Sequence, residues 1–178
     1  MAGCEIKEVF LSTSTRHIES FNSHGMARIL DESVDIEDIH AVIDMAQAVK
    51  IPAEKQILHV VPQDYIIDGR SGVTRPLGVS GVRLEAHAHL ILGNMPRLEV
   101  LEACCLRAKV NVVDVVFSPL AQAEALLTPQ AREMGVTLID IGCDTTDVSV
   151  FEGGQIVHSG MIGIGGDHIT LDIKDCLN

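Results

Sequence analysis

Aromatic residues are scarce in this chain of 178 residues. Tryptophan is absent and aromatic residues make up only 3% of the sequence, so the core must be aliphatic and stacking on nucleic-acid bases is disfavoured. Basic residues are also few, with 13 against 25 acidic residues and a net charge of -12. Such a protein repels a phosphate backbone or an anionic lipid surface. We therefore expect no nucleic-acid partner, and membrane contact only indirectly.

Paired cysteine motifs and long apolar runs are missing as well. The cysteines are odd in number and show no CxxC spacing, which predicts free thiols in a reducing compartment; they are Cys4, Cys104, Cys105, Cys143 and Cys176. No signal-peptide pattern and no apolar stretch of about 20 residues is present, which predicts a cytoplasmic protein. With 47% hydrophobic and 21% charged residues, the composition is that of an ordered globular protein.

The first part of the chain alternates between strand and helix patterns. Polar and apolar residues alternate over 5–14 as in a strand, and Asp35 can cap a helix that follows it. The apolar face of that helix would consist of Ile36, Ile39, Ile43 and Ala46. Two strands over 56–68 and 82–92 and a helix over 95–108 complete this part. Pro62 inside the first of these two strands predicts a bulge or an edge.

From residue 111 the pattern changes to strands that follow one another closely. The apolar run over 112–117 predicts a strand in a sheet covered on both faces, and a helix is expected over 119–127. Three consecutive strands follow over 135–142, 147–154 and 155–166, with Gly153 and Gly154 as a two-residue hairpin turn. A helix is expected from residue 168 onward.

Two pairs of neighbouring residues are weak candidates for sites. His87 and His89 lie two apart on a strand and share one face, which is compatible with zinc binding, but no third ligand is close in sequence. Solvated histidines, or histidines at the edge of the core, are favoured instead. Cys104 and Cys105 on a helix are interpreted as small buried hydrophobic residues. No Ser-His-Asp or Cys-His pattern typical of catalysis is present.

The stretch LIDIGCDTTDVSVFEGG, residues 138–154, is the main candidate site. Asp140 ends an apolar strand, Gly142 allows a turn, and Thr145 and Thr146 offer hydroxyl and N–H groups. A carboxylate beside such a loop can hold Mg²⁺ while N–H groups meet phosphate oxygens. On spacing alone, a plain hairpin with polar turn residues is the favoured alternative.

These residues resemble the second phosphate loop of the actin-like ATPases, whose pattern runs Asp, aliphatic, Gly, small, Gly, Thr, Thr, then Asp or Glu. Three other stretches, ILHVVPQDYIIDG, RPLGVSGVRLEAHAHLI and GIGGDHITLDI, resemble the bacterial cell-division protein FtsA family. The resemblance implies an α+β fold. A strand-helix-strand-strand insertion subdomain over residues 1–110 would precede part of an actin-like (ribonuclease H-like) α/β lobe over residues 111–178.

The resemblance also implies a cofactor site for ATP, with Mg²⁺ held at Asp140. The implied cofactor-binding residues are Asp140, Gly142, Cys143, Asp144, Thr145, Thr146, Gly165 and Gly166. Cys143 and Asp144 depart from the family pattern, which has small or glycine residues there. A carboxylate about 4 Å from a phosphate disfavours binding by about 1 to 4 kcal/mol, depending on screening by water. ATP binding by this chain is therefore in doubt.

Three hypotheses follow. In the first, the chain is a cell-division scaffold without autonomous catalysis. Proteins of the FtsA family polymerise, link the FtsZ ring to the inner face of the cell membrane at the division site, and recruit later division proteins, partly through the inserted subdomain. In the second, it is an actin-like ATPase or kinase completed by another chain. In the third, it is a truncated product that folds poorly.

The resemblance would place several family features outside these 178 residues. They are the first phosphate loop, the adenosine pocket, the FtsZ-binding lobe and the C-terminal membrane helix. The sheet of the lobe would then have an open edge, which a second copy or a partner strand could cover. We therefore expect self-association.

Overall fold

The computed structural model describes residues 5–14 and 18–177, and Cys4 lies outside them. The described residues form nine strands and five helices. The strands are β1 (Glu8–Thr13), β2 (Ile18–Arg28), β3 (Lys55–Ile67), β4 (Arg70–Val73), β5 (Arg83–Asn94), β6 (Asn111–Phe117), β7 (Val136–Ile141), β8 (Thr146–Glu152) and β9 (Gln155–Ile162). The helices are α1 (Ile36–Gln47), α2 (Met95–Arg107), α3 (Ser118–Leu126), α4 (Pro129–Met134) and α5 (Gly166–Leu177).

An antiparallel sheet in the order β2-β5-β3-β4 carries α1 on one face. Side chains alternate between the two faces of a strand, and β5 shows this clearly. Its fully buried residues on the helix side include Leu84, Ala86, Ala88 and Leu90. The strand-helix-strand-strand arrangement predicted by resemblance is therefore confirmed.

Helix α1 begins where the sequence predicts. The Asp35 carboxylate accepts a hydrogen bond from the Asp38 backbone N–H at 2.8 Å, and the Asp38 carboxylate accepts one from the Asp35 N–H at 3.2 Å. This reciprocal cap satisfies two backbone donors that the helix itself cannot use. Most of the predicted apolar face is confirmed, because Ala46 is fully buried and Ile39 and Ile43 pack against the core. Ile36 is instead 59% exposed, and the fully buried Val42 belongs to the face as well.

Strand β2 was missed by the sequence interpretation, which assigned the first strand of this sheet to residues 5–14. Strand β1 instead pairs in parallel with β6, in a separate two-stranded sheet. The short strand β4 lies between the predicted strands 56–68 and 82–92, where no strand was predicted. Pro62 does mark a bulge, since the register between β3 and β5 shifts between Pro62 and Asp64.

Two predictions of burial are wrong. Strand β6 is not covered on both faces, because Val113 is 52% exposed and β1 is its one strand partner among the described residues. Cys104 is exposed and Cys105 is half-buried, because α2 buries only Leu98. The cysteines within the described residues have free thiols, as predicted.

The third sheet, in the order β7-β8-β9, is a meander of antiparallel strands. Gly153 and Gly154 form the predicted two-residue turn, with φ of 58° and 82°. Such positive values at both turn positions suit glycine. Phe151 and Ile156 from this sheet pack with Ile91 and Phe117 in one buried cluster, which joins the meander to the four-stranded sheet.

Candidate functional site

The loop that connects β7 to β8 closes tightly upon itself. The Gly142 N–H donates to the Thr145 carbonyl at 2.8 Å. The hydroxyl of Thr146, at the start of β8, donates to the carbonyl of Ile164 at 2.8 Å. The loop is therefore tied to the segment that leads from β9 into α5.

The beginning of α5 lies directly against this loop. The Gly166 N–H donates to the Gly142 carbonyl at 2.9 Å, and the Asp167 N–H donates to the Cys143 carbonyl at 2.9 Å. The first N–H groups of a helix are the usual donors to a phosphate, but here these two are used within the protein.

Gly165 permits the close approach of the two segments. It is buried, and a Cβ placed on it would overlap the Cys143 carbonyl carbon at 2.6 Å and the Gly142 carbonyl oxygen at 2.6 Å. Its N–H is oriented by the His168 imidazole, whose Nδ1 accepts at 3.2 Å. Glycine is therefore required here for steric reasons, not for a positive φ.

Three polar side chains gather at the mouth of the loop. Potential ligand atoms of Cys143, Asp144 and Asp167 lie within 4.8 Å of one another, and all three residues are exposed. A hydrogen bond to Asp167 is the main cause that raises the pKa of the Cys143 thiol, followed by desolvation and by the charges of Asp167 and Asp144. The thiol therefore stays protonated and is a poor nucleophile or soft ligand.

Asp140, the residue predicted to hold Mg²⁺, is not one of the three residues of that group. Its carboxylate accepts a hydrogen bond from the Gln122 side-chain amide of α3 at 2.5 Å. The structure thus brings Gly142, Cys143, Asp144, Gly165 and Gly166 together, with Thr145 and Thr146 tied to the same loop. It adds Asp167, which the sequence interpretation missed. The signal for Asp167 was its place directly after the paired glycines.

A second polar region joins the four-stranded sheet to the meander. The buried ring of His89 on β5 donates from Nδ1 to the Asn22 side-chain oxygen at 2.6 Å, and Nε2 accepts from the Ser159 hydroxyl at 3.1 Å. The Ser20 hydroxyl also reaches the Ser159 carbonyl at 3.2 Å. These bonds fix the orientation of the four-stranded sheet relative to β9.

Two side chains of β3 make further bonds, Gln63 to β9 and His59 to β6. The Gln63 amide donates to the Val157 carbonyl at 3.2 Å, and the Phe117 N–H donates to the His59 imidazole at 3.0 Å. Burial lowers the pKa of His59 against the opposing effect of Asp114. Both histidines are therefore needed in their neutral form.

We expect His89 to make the protein less stable in acid. Burial, with a smaller effect of His158, lowers the pKa of His89 from 6.5 to about 4. The unfolded state then binds more protons than the folded state. The stabilisation that neutral His89 provides is therefore complete above pH 6.5 and decreases as the pH falls toward 4, by up to about 3 kcal/mol. Urea unfolding of His89→Gln should show a weaker dependence on pH than the wild type.

The exposed His40 on α1 supplies the matched control. His40→Gln should keep the wild-type dependence of stability on pH. If His89→Gln and His40→Gln lose stability equally over this range, the acid sensitivity does not come from His89.

No helix among residues 5–14 and 18–177 combines the length and the apolar character needed to cross a bilayer.

Two family models match the chain. The model described as "SHS2 domain inserted in FTSA" matches residues 15–92, and the model "Cell division protein FtsA" matches residues 137–178. The first range coincides with the four-stranded sheet and α1, and the second contains the loop between β7 and β8.

Curated relatives match along nearly the whole chain. The cell division protein FtsA of Pseudomonas aeruginosa is 45% identical over 99% of this chain and 42% of its own length. The proteins of the same name from Neisseria meningitidis and Escherichia coli K12 are 39% and 38% identical, over 99% and 97% of this chain and 43% and 41% of their own lengths. The chain thus spans less than half the length of these relatives.

A solved structure described as "PilM-PilN type IV pilus biogenesis complex" is similar in fold. It aligns with a TM-score of 0.64 and 14% identity, over 96% of this chain and 46% of that chain. The predicted mixed α and β fold is confirmed.

Proposed function

Because the chain belongs to the FtsA family of cell-division proteins, we propose that it acts as a cell-division scaffold whose interaction subdomain is the four-stranded sheet with α1. In this proposal the whole protein links FtsZ to the inner face of the membrane at the division site and recruits later division proteins. The subdomain would comprise residues 18–94, less than the range 1–110 expected from sequence. The segment 111–178 would belong to the actin-like lobe.

One observation carries the proposal. The sheet and α1 have their own buried clusters, yet apolar side chains stay exposed around the end of β2 and the loop that leads into β5. They are Met26 (47% exposed), Leu30 (78%), Leu77 (58%), Val79 (38%) and Val82 (64%). Grouped exposed apolar side chains mark sites of protein interaction. This apolar rim suits an apolar segment of another division protein.

A single charged substitution tests whether the apolar rim is a binding interface. Leu77→Asp should weaken binding of the purified chain to the cytoplasmic segments of later division proteins at least tenfold, because it buries a carboxylate in the interface. Val100→Asp on α2, where the valine is 61% exposed, is the control and should bind as the wild type does. Binding that is equally strong in both variants would contradict an interface at the rim.

Self-association is a further part of the proposal. Phe10 on β1 is 68% exposed and Val113 on β6 is 52% exposed, so the small parallel sheet offers apolar surface. Its two outer strand edges also have no strand partner within residues 5–14 and 18–177. Strand addition by a second copy would cover both. Sedimentation that shows only monomer at high concentration would remove this part.

ATP binding with Mg²⁺ is the second candidate function. It is supported by the close packing of the loop after β7 against the start of α5, which depends on Gly165. The match of residues 137–178 to the FtsA model supports it as well. The acidic side chains Asp144 and Asp167 oppose it, since they repel phosphate unless a cation lies between them. Nucleotide would therefore bind weakly here.

Restoring glycine tests this second function. In a longer chain that contains the rest of the lobe, Cys143→Gly with Asp144→Gly should tighten ATP binding at least about fivefold, since it removes about 1 kcal/mol or more of repulsion. Calorimetric titration with and without Mg²⁺ is the measurement. If affinity does not change, the two side chains were never the obstacle to binding.

A further inference from the structure

Two histidines face each other across neighbouring strands of the inserted sheet. His24 on β2 lies directly opposite His87 on β5. The adjacent residue Gly25 faces α1, so His24 and His87 lie on the face of the sheet that is turned away from the helix. Their side chains are 42% and 43% exposed. A dissolved ion can therefore reach both rings.

A carboxylate holds each of the two rings. His24 Nε2 is 2.9 Å from a Glu85 oxygen, and His87 Nδ1 is 2.7 Å from an Asp64 oxygen. A carboxylate only accepts hydrogen bonds, so these two nitrogens carry the protons. In the neutral rings, Nδ1 of His24 and Nε2 of His87 then carry the lone pairs. A carboxylate that fixes the tautomer in this way is the usual outer partner of a histidine bound to a metal.

The separation of the rings agrees with a shared metal ion. Their centroids lie 5.2 Å apart and their planes are tilted by 48°. With metal–nitrogen bonds of about 2.0 Å and tetrahedral angles, two imidazoles on one Zn²⁺ have centroids about 5 Å apart. The sheet thus holds the rings at this separation without an ion.

His89, which sequence spacing paired with His87, does not take part. Both of its ring nitrogens are used, one by Asn22 and one by Ser159, and its side chain is buried. The second imidazole comes from β2, the strand that the sequence interpretation missed. A pair formed across strands leaves no spacing signal in the sequence.

We propose that His24 and His87 form a binding site for one divalent transition-metal ion such as Zn²⁺, with Asp64 and Glu85 as the outer carboxylates and water in the remaining positions. Imidazole ligands suit Zn²⁺, Cu²⁺ and Ni²⁺. The ion joins the edge strand β2 to the central strand β5. Because it binds only the folded sheet, it stabilises the subdomain.

Calorimetric titration of the full chain with Zn²⁺ tests the site. One ion should bind to the wild type, and His24→Gln or His87→Gln should each weaken binding at least tenfold. Asp64→Asn should weaken it by about 10-fold or more through loss of the outer carboxylate. His40→Gln is the control, since this exposed histidine lies on α1, and it should bind like the wild type. Thermal unfolding in EDTA checks that each variant folds.

A second variant separates this site from the exposed group at the loop. Cys143→Ser alters the Cys143, Asp144 and Asp167 group and should leave Zn²⁺ affinity unchanged. Electron paramagnetic resonance of the Cu²⁺-loaded wild type should show coupling to two nitrogens, and only one in His87→Gln. Absence of Zn²⁺ binding, equal affinity in the two histidine variants and the wild type, or loss only in Cys143→Ser would overturn the proposal.

Discussion

Gly25→Ala is expected to lower the free energy of unfolding by about 3 kcal/mol, the upper part of the range for overpacked sites. A Cβ at this position in β2 would overlap the Val42 carbonyl oxygen and lie 2.7 Å from the Ala46 backbone nitrogen of α1. Backbone atoms cannot move aside as a flexible side chain can, so the whole helix would have to shift away from the sheet. Urea unfolding followed by circular dichroism measures the loss.

Gly160→Ala is the matched control, because Gly160 also lies inside a strand. A Cβ there would meet only the far end of the His158 side chain, at 3.6 Å, so we expect a change within about 1 kcal/mol. Equal destabilisation by Gly25→Ala and Gly160→Ala would mean that α1 does not pack as closely on β2 as described.

Gly165→Ala is expected to separate the loop after β7 from the start of α5. The added methyl group would require the carbonyls of Gly142 and Cys143 to move, and these carbonyls accept the Gly166 and Asp167 N–H groups. Both hydrogen bonds should break. Amide hydrogen exchange at Gly166 and Asp167 should then become about 100-fold faster or more, which corresponds to a loss of about 2.7 kcal/mol in the free energy that protects these amides. Any affinity of the loop for nucleotide should be lost together with these two hydrogen bonds.

The neighbouring Gly163 offers the control. Nothing lies within 4 Å of a Cβ built on it, so Gly163→Ala should leave the exchange of both amides as in the wild type. If exchange at Gly166 and Asp167 is the same in Gly165→Ala, the loop and the helix are not joined through these carbonyls.

Local sequence signals predicted the elements that depend on local chemistry. Asp35 marked the start of α1 because a capping carboxylate acts within three residues. The two glycines at 153 and 154 marked the hairpin because the turn needs positive φ at both positions. Helix α2 was also predicted from its spacing. Its exposure to solvent was not predicted, because exposure depends on which other elements pack against the helix.

Strand β2 could not be read from its pattern because both of its faces contact other parts of the protein. Gly25 and Ala27 are small, as the close approach of α1 requires, while Ser20 and Asn22 are polar because they bond across to β9. The usual alternation of apolar and polar residues is therefore lost. The partner of β1 was equally hidden, since β6 is about a hundred residues away along the chain.

The candidate loop was found through its resemblance to a family pattern, not through spacing. The paired glycines Gly165 and Gly166 were placed in the site by that resemblance, and they lie against Gly142 and Cys143 in the structure. The acidic group formed with Asp167 depends on how the loop after β7 packs against the start of α5. No local sequence pattern indicates that packing. Whether the loop binds ATP remains a prediction.

The orientation of the inserted sheet bears on its proposed role as a scaffold. Side-chain bonds from β2, β3 and β5 reach the same strand β9, and an apolar cluster lies beside them. The apolar rim of the same sheet is thereby presented in one fixed direction. A scaffold that joins partners in a defined arrangement requires such rigidity.

Fluorescence imaging of this chain in dividing bacterial cells tests the central claim most directly. A fusion of the wild-type chain should gather at the division septum, and the Leu77→Asp fusion should be spread through the cell at equal abundance. A wild-type fusion that stays evenly distributed, or a Leu77→Asp fusion that gathers at the septum as the wild type does, would contradict a division scaffold that acts through the inserted sheet.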